Sequence, residues 1–159
     1  MAISVGDQAP DFTLKRKAGD LVDVTLSSYK GNKNVVLLFV PLAYSGPCTE
    51  ELCSVSGGLS DYEGLDAEVI AISVDSPFAQ EAWAKDSNIN VPLVSDFNKE
   101  VCQAYGCMHD ELLGFKGVAK RSAFVLDKSG VVRFAAVSDD ASVLPDFEAI
   151  KSCLSELNK

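Results

Sequence analysis

The stretch Val35-Val-Leu-Leu-Phe-Val40-Pro41-Leu-Ala-Tyr-Ser45-Gly-Pro-Cys48-Thr-Glu-Glu51-Leu-Cys53 decides the reading of this chain. Val35–Val40 is an unbroken apolar run, the pattern of a strand buried on both faces. A proline, a short Gly-Pro turn and a helical pattern from Pro47 follow. Strand, turn and helix in that order form the repeating unit of an α/β sheet. Cys48 opens the helix, where unpaired backbone N–H groups and the positive end of the helix dipole favour a thiolate. The chain reads as one built around a single reactive sulfur.

On the N-terminal side, Asp11-Phe-Thr-Leu14 and Leu21-Val-Asp-Val-Thr-Leu26 alternate and flank Gly19-Asp20, predicting a β-hairpin. On the C-terminal side the helix from Pro47 is expected to reach Gly57-Gly58 and to resume through Tyr62. Glu68–Val74 is a second buried strand. Pro77 suits the first position of a helix capped by Asp75 or Ser76, with Phe78 and Trp83 assigned to its core side. Pro92–Ser95 reads as a short strand. Asn98–Tyr105 reads as a short helix ended by Gly106, and residues 107–119 read as loop. Arg121–Asp127 and Val131–Val137, separated by Lys-Ser-Gly, form a second hairpin. Phe147, Ile150, Leu154 and Leu157 place a last helix over about Leu144–Leu157. The order predicts an α/β fold, a central mixed β-sheet flanked by helices with an N-terminal β-hairpin. No repeat or linker interrupts it, so residues 1–159 are expected to form a single domain.

Composition narrows the function. The net charge is −9, from 23 acidic and 14 basic residues, which disfavours nucleic acid and anionic membrane surfaces as partners. No apolar run reaches the ~18 residues of a membrane span. The N-terminus has neither the basic region nor the apolar stretch of a signal peptide, so a cytoplasmic protein is expected. Five cysteines, Cys48, Cys53, Cys102, Cys107 and Cys153, are an odd number and argue against a static disulfide scaffold. Four fall in two C-x4-C pairs, a spacing that fits neither a zinc ribbon nor a C-x2-C redox motif. With a single histidine, no metal site is expected.

Pro41-x3-Ser45-x2-Cys48 matches the P-x3-[T/S]-x2-C signature of the peroxiredoxins, and the resemblance spans essentially the whole chain. It includes Gly6-Asp7-Gln8-Ala9-Pro10-Asp11-Phe12, Ser73-Val74-Asp75, Pro92-Leu-Val-Ser95-Asp96 and Gly117–Asp127. The Cys48–Cys53 segment resembles the Q-type (bacterioferritin-comigratory) subgroup, and Pro41-Leu-Ala-Tyr resembles AhpE-type enzymes. The resemblance implies a thioredoxin-like fold and a peroxidase without metal or organic cofactor. It implies hydrogen peroxide and alkyl hydroperoxides as substrates, a thioredoxin-like dithiol protein as reductant, and a monomer or a homodimer.

The chemistry explains such a residue set. A free thiol ionises near pH ~8.5, so few are thiolate at neutrality. Thiolate attack on an O–O bond also needs donors for the charge on the leaving oxygen. The resemblance puts the cation at Arg121 and a hydroxyl donor at Ser45, and has Pro41 shield the sulfur. Glu51 matches a frequent family glutamate that either orients Arg121 or favours the helix start through the dipole.

After attack Cys48 is a sulfenic acid, and the Q-type resemblance makes Cys53 the resolving thiol. Five residues along an intact helix rise about 7.5 Å and turn about 500°, leaving the two side chains about 140° apart. A disulfide needs Cα atoms within about 7 Å, so that helix must unwind. Ser54-Val-Ser56-Gly57-Gly58 either weakens the helix for this purpose or simply marks its end. Cys102 and Cys107 are alternative resolving thiols, an independent disulfide or core thiols. Cys153 reads as a half-buried structural thiol, and His109 as a loop residue hydrogen-bonded to solvent or backbone. The alternative function is a peroxide-sensing module that relays a disulfide to a partner protein. A general disulfide oxidoreductase is disfavoured by the lack of C-x2-C.

Overall fold

The structure, a computed structural model, describes residues 2–159. Seven strands form one mixed sheet: β1 (Thr13–Ala18), β2 (Asp20–Thr25), β3 (Asn34–Phe39), β4 (Ala67–Ser73), β5 (Leu93–Ser95), β6 (Ser122–Leu126) and β7 (Val132–Val137). Their order across the sheet is β2-β1-β5-β4-β3-β6-β7. β3 pairs parallel with β4, and β4 with β5. Both hairpins and the β3–β6 pair are antiparallel. The helices are α1 (Gly46–Gly57), α2 (Leu59–Gly64), α3 (Pro77–Ser87), α4 (Glu100–Ala104) and α5 (Phe147–Leu157). None among the described residues is long and apolar enough to cross a membrane.

The period-2 alternation of the strands sorts the core into two layers. Val36, Leu38 and Val40 face a cluster with Cys48, Leu52 and Val55 of α1, Trp83 of α3, and Ile150 and Leu154 of α5. Val35, Leu37 and Phe39 face the opposite cluster, which holds Phe12, Val101, Cys102, Tyr105, Cys107 and Phe124. The run Val35–Val40 is uniformly apolar because β3 is covered on both sides.

The local signals resolve as follows. Ser76 caps α3, its Oγ accepting from Ala79 N–H at 3.1 Å, which frees Asp75 for another partner. α4 ends in a Schellman turn: Gly106 has φ +68°, Cys107 N–H donates to Cys102 carbonyl at 2.9 Å, and Gly106 N–H to Gln103 carbonyl at 3.0 Å. Three sequence expectations are corrected. The last helix starts at Phe147, because Asp146 caps it by accepting from Ala149 N–H at 3.1 Å. Residues 107–119 are not plain loop but an antiparallel arm, with bridges Met108↔Ala119 and Leu112↔Phe115 and His109 N–H donating to Val118 carbonyl at 2.8 Å. Phe78 is exposed while Trp83 is fully buried; five residues apart on α3, they point about 140° away from each other. The Gly57-Gly58 pair is the boundary between α1 and α2, so the helix ends there rather than running weakly through it.

Candidate active site

The parallel strand β3 delivers the chain at its C-terminal edge, where Pro41–Ser45 turn into α1. This turn is held from below by Asp75, whose Oδ2 accepts from Ala43 N–H at 2.8 Å. Tyr44 sits at φ +67°, an uncommon conformation for a side-chain-bearing residue. Its hydroxyl donates to Asp86 Oδ2 of α3 at 2.7 Å. Ser45 is the N-cap residue by position, yet its side chain makes no cap bond; its hydroxyl donates to the Leu42 carbonyl at 2.8 Å. The first backbone bond of α1 runs from Thr49 N–H to the Ser45 carbonyl at 3.0 Å. The Cys48 amide, in the unpaired first turn, keeps its hydrogen available.

Cys48 is completely buried. Arg121, immediately before β6 and also buried, serves three acceptors with one guanidinium. Nη2 donates to Cys48 Sγ at 3.1 Å, Nη1 to Glu51 Oε1 at 2.9 Å, and Nε to the Ala141 carbonyl at 2.8 Å. The planar fork of arginine permits this and an ammonium does not. Cys48 and Glu51 stand three residues apart on α1, hence on one face of the helix, and both point at the same cation. Burial raises the Glu51 carboxyl to about 7, and the Arg121 charge only partly offsets it. Its second oxygen, Oε2, has no hydrogen-bond partner among the described residues. The arrangement holds a sulfur against a positive charge away from bulk water, where that charge acts with little screening.

Of the residues singled out from sequence, Cys48, Glu51 and Arg121 converge directly. Pro41 is buried in the turn that leads into α1. Ser45 occupies the turn with its hydroxyl bonded to Leu42 rather than to the sulfur. Cys53, on the same intact helix, is turned toward α3, its thiol donating to the Ser87 carbonyl at 3.3 Å. Cys102 and Cys107 are fully buried in the opposite layer, so the sheet lies between them and Cys48. All five cysteines are free thiols. Burial lifts the Cys107 thiol to about 12 and drives Cys102 higher still, which keeps both in the inert protonated form. His109 is buried and bonded through its backbone, its Nε2 without a partner among the described residues. Residues the sequence did not reveal are Asp75, Tyr44 and the Ala141 carbonyl. The sequence offers Asp75 as one of two possible caps and as the end of a stretch that resembles the family, not as a support for this turn, and a backbone carbonyl carries no side-chain signal.

Comparison with known proteins adds to this geometry. The family model described as "AhpC/TSA family" matches residues 5–135. Alkyl hydroperoxide reductase E of Mycobacterium tuberculosis is 41% identical over 143 residues, covering 89% of this chain and 90% of its own. The structure of the mitochondrial 2-Cys peroxiredoxin from Plasmodium falciparum superposes with a TM-score of 0.84 at 29% identity, covering 98% of this chain and 94% of that one. Peroxidoxin BcpB from Mycobacterium tuberculosis gives a TM-score of 0.80 at 27% identity, covering 97% and 96%.

Proposed function

The chain belongs to the AhpC/TSA family of peroxiredoxins, which are thiol-dependent peroxidases, and on that premise we propose that Cys48 is its peroxidatic cysteine and Cys53 its resolving cysteine. The observation that carries the reading is the 3.1 Å bond from Arg121 Nη2 to Cys48 Sγ. The thiolate attacks the terminal oxygen of a hydroperoxide. The S–O bond forms as the O–O bond breaks, and the alkoxide or hydroxide takes a proton and leaves as alcohol or water. Arg121, the Cys48 N–H and the Ser45 hydroxyl, turned from the Leu42 carbonyl toward the peroxide, stabilise the developing charge. Pro41 excludes water, and Glu51 orients the guanidinium through Nη1. The Cys48 sulfenic acid then condenses with the Cys53 thiol, releasing water, and a thioredoxin-type dithiol reduces the disulfide. The reading calls on the chain's own thiols alone and places the protein in the cytoplasm, as a monomer or a homodimer. The 41% identity to alkyl hydroperoxide reductase E, together with Pro41-Leu-Ala-Tyr, favours an AhpE-type enzyme; the Cys48–Cys53 spacing is the Q-type trait within it.

One equivalent of hydrogen peroxide added to the reduced protein is expected to remove two thiols, and peptide mapping to find them joined as Cys48–Cys53. Cys102, Cys107 and Cys153 are expected to stay alkylatable after unfolding, because the sheet separates the first two from Cys48. A link from Cys48 to either of them overturns the assignment of Cys53. A lasting sulfenic acid with four free thiols assigns a one-cysteine mechanism instead. Continuous peroxide consumption with thioredoxin and its reductase distinguishes the enzyme from a sensor, which is oxidised once and needs a stable partner contact.

A further inference from the structure

α1 carries a second polar face, distinct from the one that meets Arg121. Thr49, Cys53 and Ser56 lie four and three residues apart, the spacing of one helix stripe. All three are bonded to α3 or to the segment that leaves it. Thr49 Oγ1 accepts from the Trp83 indole N–H at 3.0 Å. The Cys53 thiol donates to the Ser87 carbonyl at 3.3 Å. Ser56 Oγ accepts from two successive backbone amides, Asn90 N–H at 2.9 Å and Val91 N–H at 3.4 Å. α3 ends at Asn88 in the left-handed conformation, and Val91 is buried. The Val91 amide therefore depends on Ser56 for its partner in the folded chain.

We propose that Ser56 is a positioning residue for the second half of the reaction, a latch that ties the last turn of α1 to the α3–β5 connection and sets how fast Cys53 reaches Cys48. The proposal rests on Cys53 being the resolving thiol. Cys53 cannot approach Cys48 while the helix is intact, and the turn that must unwind includes Ser56, three residues on. Unwinding breaks the Ser56 bonds and the Cys53–Ser87 bond together. Two outcomes compete for the sulfenic acid while the latch holds. In one, Cys48–SOH and Cys53–SH give the disulfide and water: an S–S bond forms, the S–O bond breaks, and the thiol proton leaves with the hydroxyl. In the other, a second hydroperoxide oxidises Cys48–SOH to the sulfinic acid and is itself reduced to the alcohol or water. A tighter latch shifts the outcome toward sulfinic acid.

The test follows the two phases of oxidation after mixing reduced protein with hydrogen peroxide, using the single Trp83, bonded to α1 through Thr49, as the fluorescent reporter. Disulfide and sulfinic acid are quantified by mass. Ser56→Ala leaves the Val91 amide unpaired only while α1 is folded. It is therefore expected to speed disulfide formation on the order of tenfold and to lower the sulfinic yield at high peroxide by a similar factor. Ser56→Thr keeps the hydroxyl and is expected to stay near wild type. The first oxidation, which Ser56 does not touch, is the internal reference. Should Ser56→Ala not fold, hydrogen exchange on the wild type decides. The Asn90 and Val91 amides are expected to be protected in the reduced protein and to lose that protection in the Cys48–Cys53 disulfide form. A resolution rate and sulfinic yield unchanged in Ser56→Ala overturn the latch, as does protection retained after oxidation. Absence of any Cys48–Cys53 link in the wild type overturns the resolving role of Cys53 itself, and mapping distinguishes that failure from the other.

Discussion

Replacing Arg121 with Met is expected to slow the reaction of Cys48 with hydrogen peroxide by about 10²–10³-fold, the usual cost of removing one preorganised charged donor from a water-excluded site. The side chain has an exposure of 1% and serves Cys48, Glu51 and the Ala141 carbonyl at once, so the substitution also strips the Glu51 carboxyl of the one partner it has among the described residues. Breaking a buried pair by removing one member costs about 3–5 kcal/mol, and lost activity alone then does not separate chemistry from folding. The double variant Arg121→Met/Glu51→Gln removes the buried carboxyl left without its partner and is expected to recover most of the stability in urea denaturation. Its peroxide rate is expected to remain as low as that of Arg121→Met. A double variant within tenfold of wild type in that rate assigns Arg121 to the fold and not to the reaction. Arg121→Lys is expected to fall short as well, since a single ammonium does not reproduce a three-acceptor fork.

How much of this was legible beforehand follows from the range of each signal. Val35–Val40, Pro47 and Gly106 act over a few residues, and their elements stand where periodicity and cap chemistry put them. The Cys48–Glu51 pairing is equally local, a matter of helical spacing. Arg121 is 73 residues from Cys48, and nothing in its own neighbourhood distinguishes a strand-edge cation from an active-site one; only resemblance to a family located it. Ser56 shows the opposite error. Read locally, Ser54-Val-Ser56-Gly57-Gly58 is a poor helix former. In the fold its serine oxygen supplies two amides 34 and 35 residues away, a contact that propensity does not contain. Phe78 differs for a simpler reason: its spacing from Trp83 is not that of a shared face. The arm at 107–119 carries no periodic signal, because its bridges are single pairs without the alternation of a strand.

Glu51 is expected to make the fold less stable as the pH rises from about 4.5 to about 7. Its carboxyl titrates near 4.5 in the unfolded chain, while burial raises it to about 7 in the folded one. Between these values the folded chain holds a proton that the unfolded chain has released, so each step up in pH favours unfolding. The contribution is fully present below about 4.5 and is lost through about 7, a span worth on the order of 3 kcal/mol. His109 works in the opposite direction. Burial, aided by Lys120, lowers its imidazole from the ordinary value, so its contribution is present above the unfolded value and lost as the pH falls. Wild-type stability alone therefore mixes two opposed slopes. The comparison with Glu51→Gln separates them: the amide keeps an acceptor for Arg121 Nη1 but cannot ionise, and its stability advantage over wild type is expected to grow between pH 5 and 8. A constant difference across that range refutes the raised carboxyl. The same proton bears on the reaction. Once the Glu51 carboxyl ionises, the Arg121 charge is shared between a carboxylate and the Cys48 sulfur, whereas in Glu51→Gln it faces the sulfur alone. The ratio of the variant's peroxide rate to that of wild type is accordingly expected to rise from pH 6 to pH 8. A flat ratio limits Glu51 to holding the guanidinium in place.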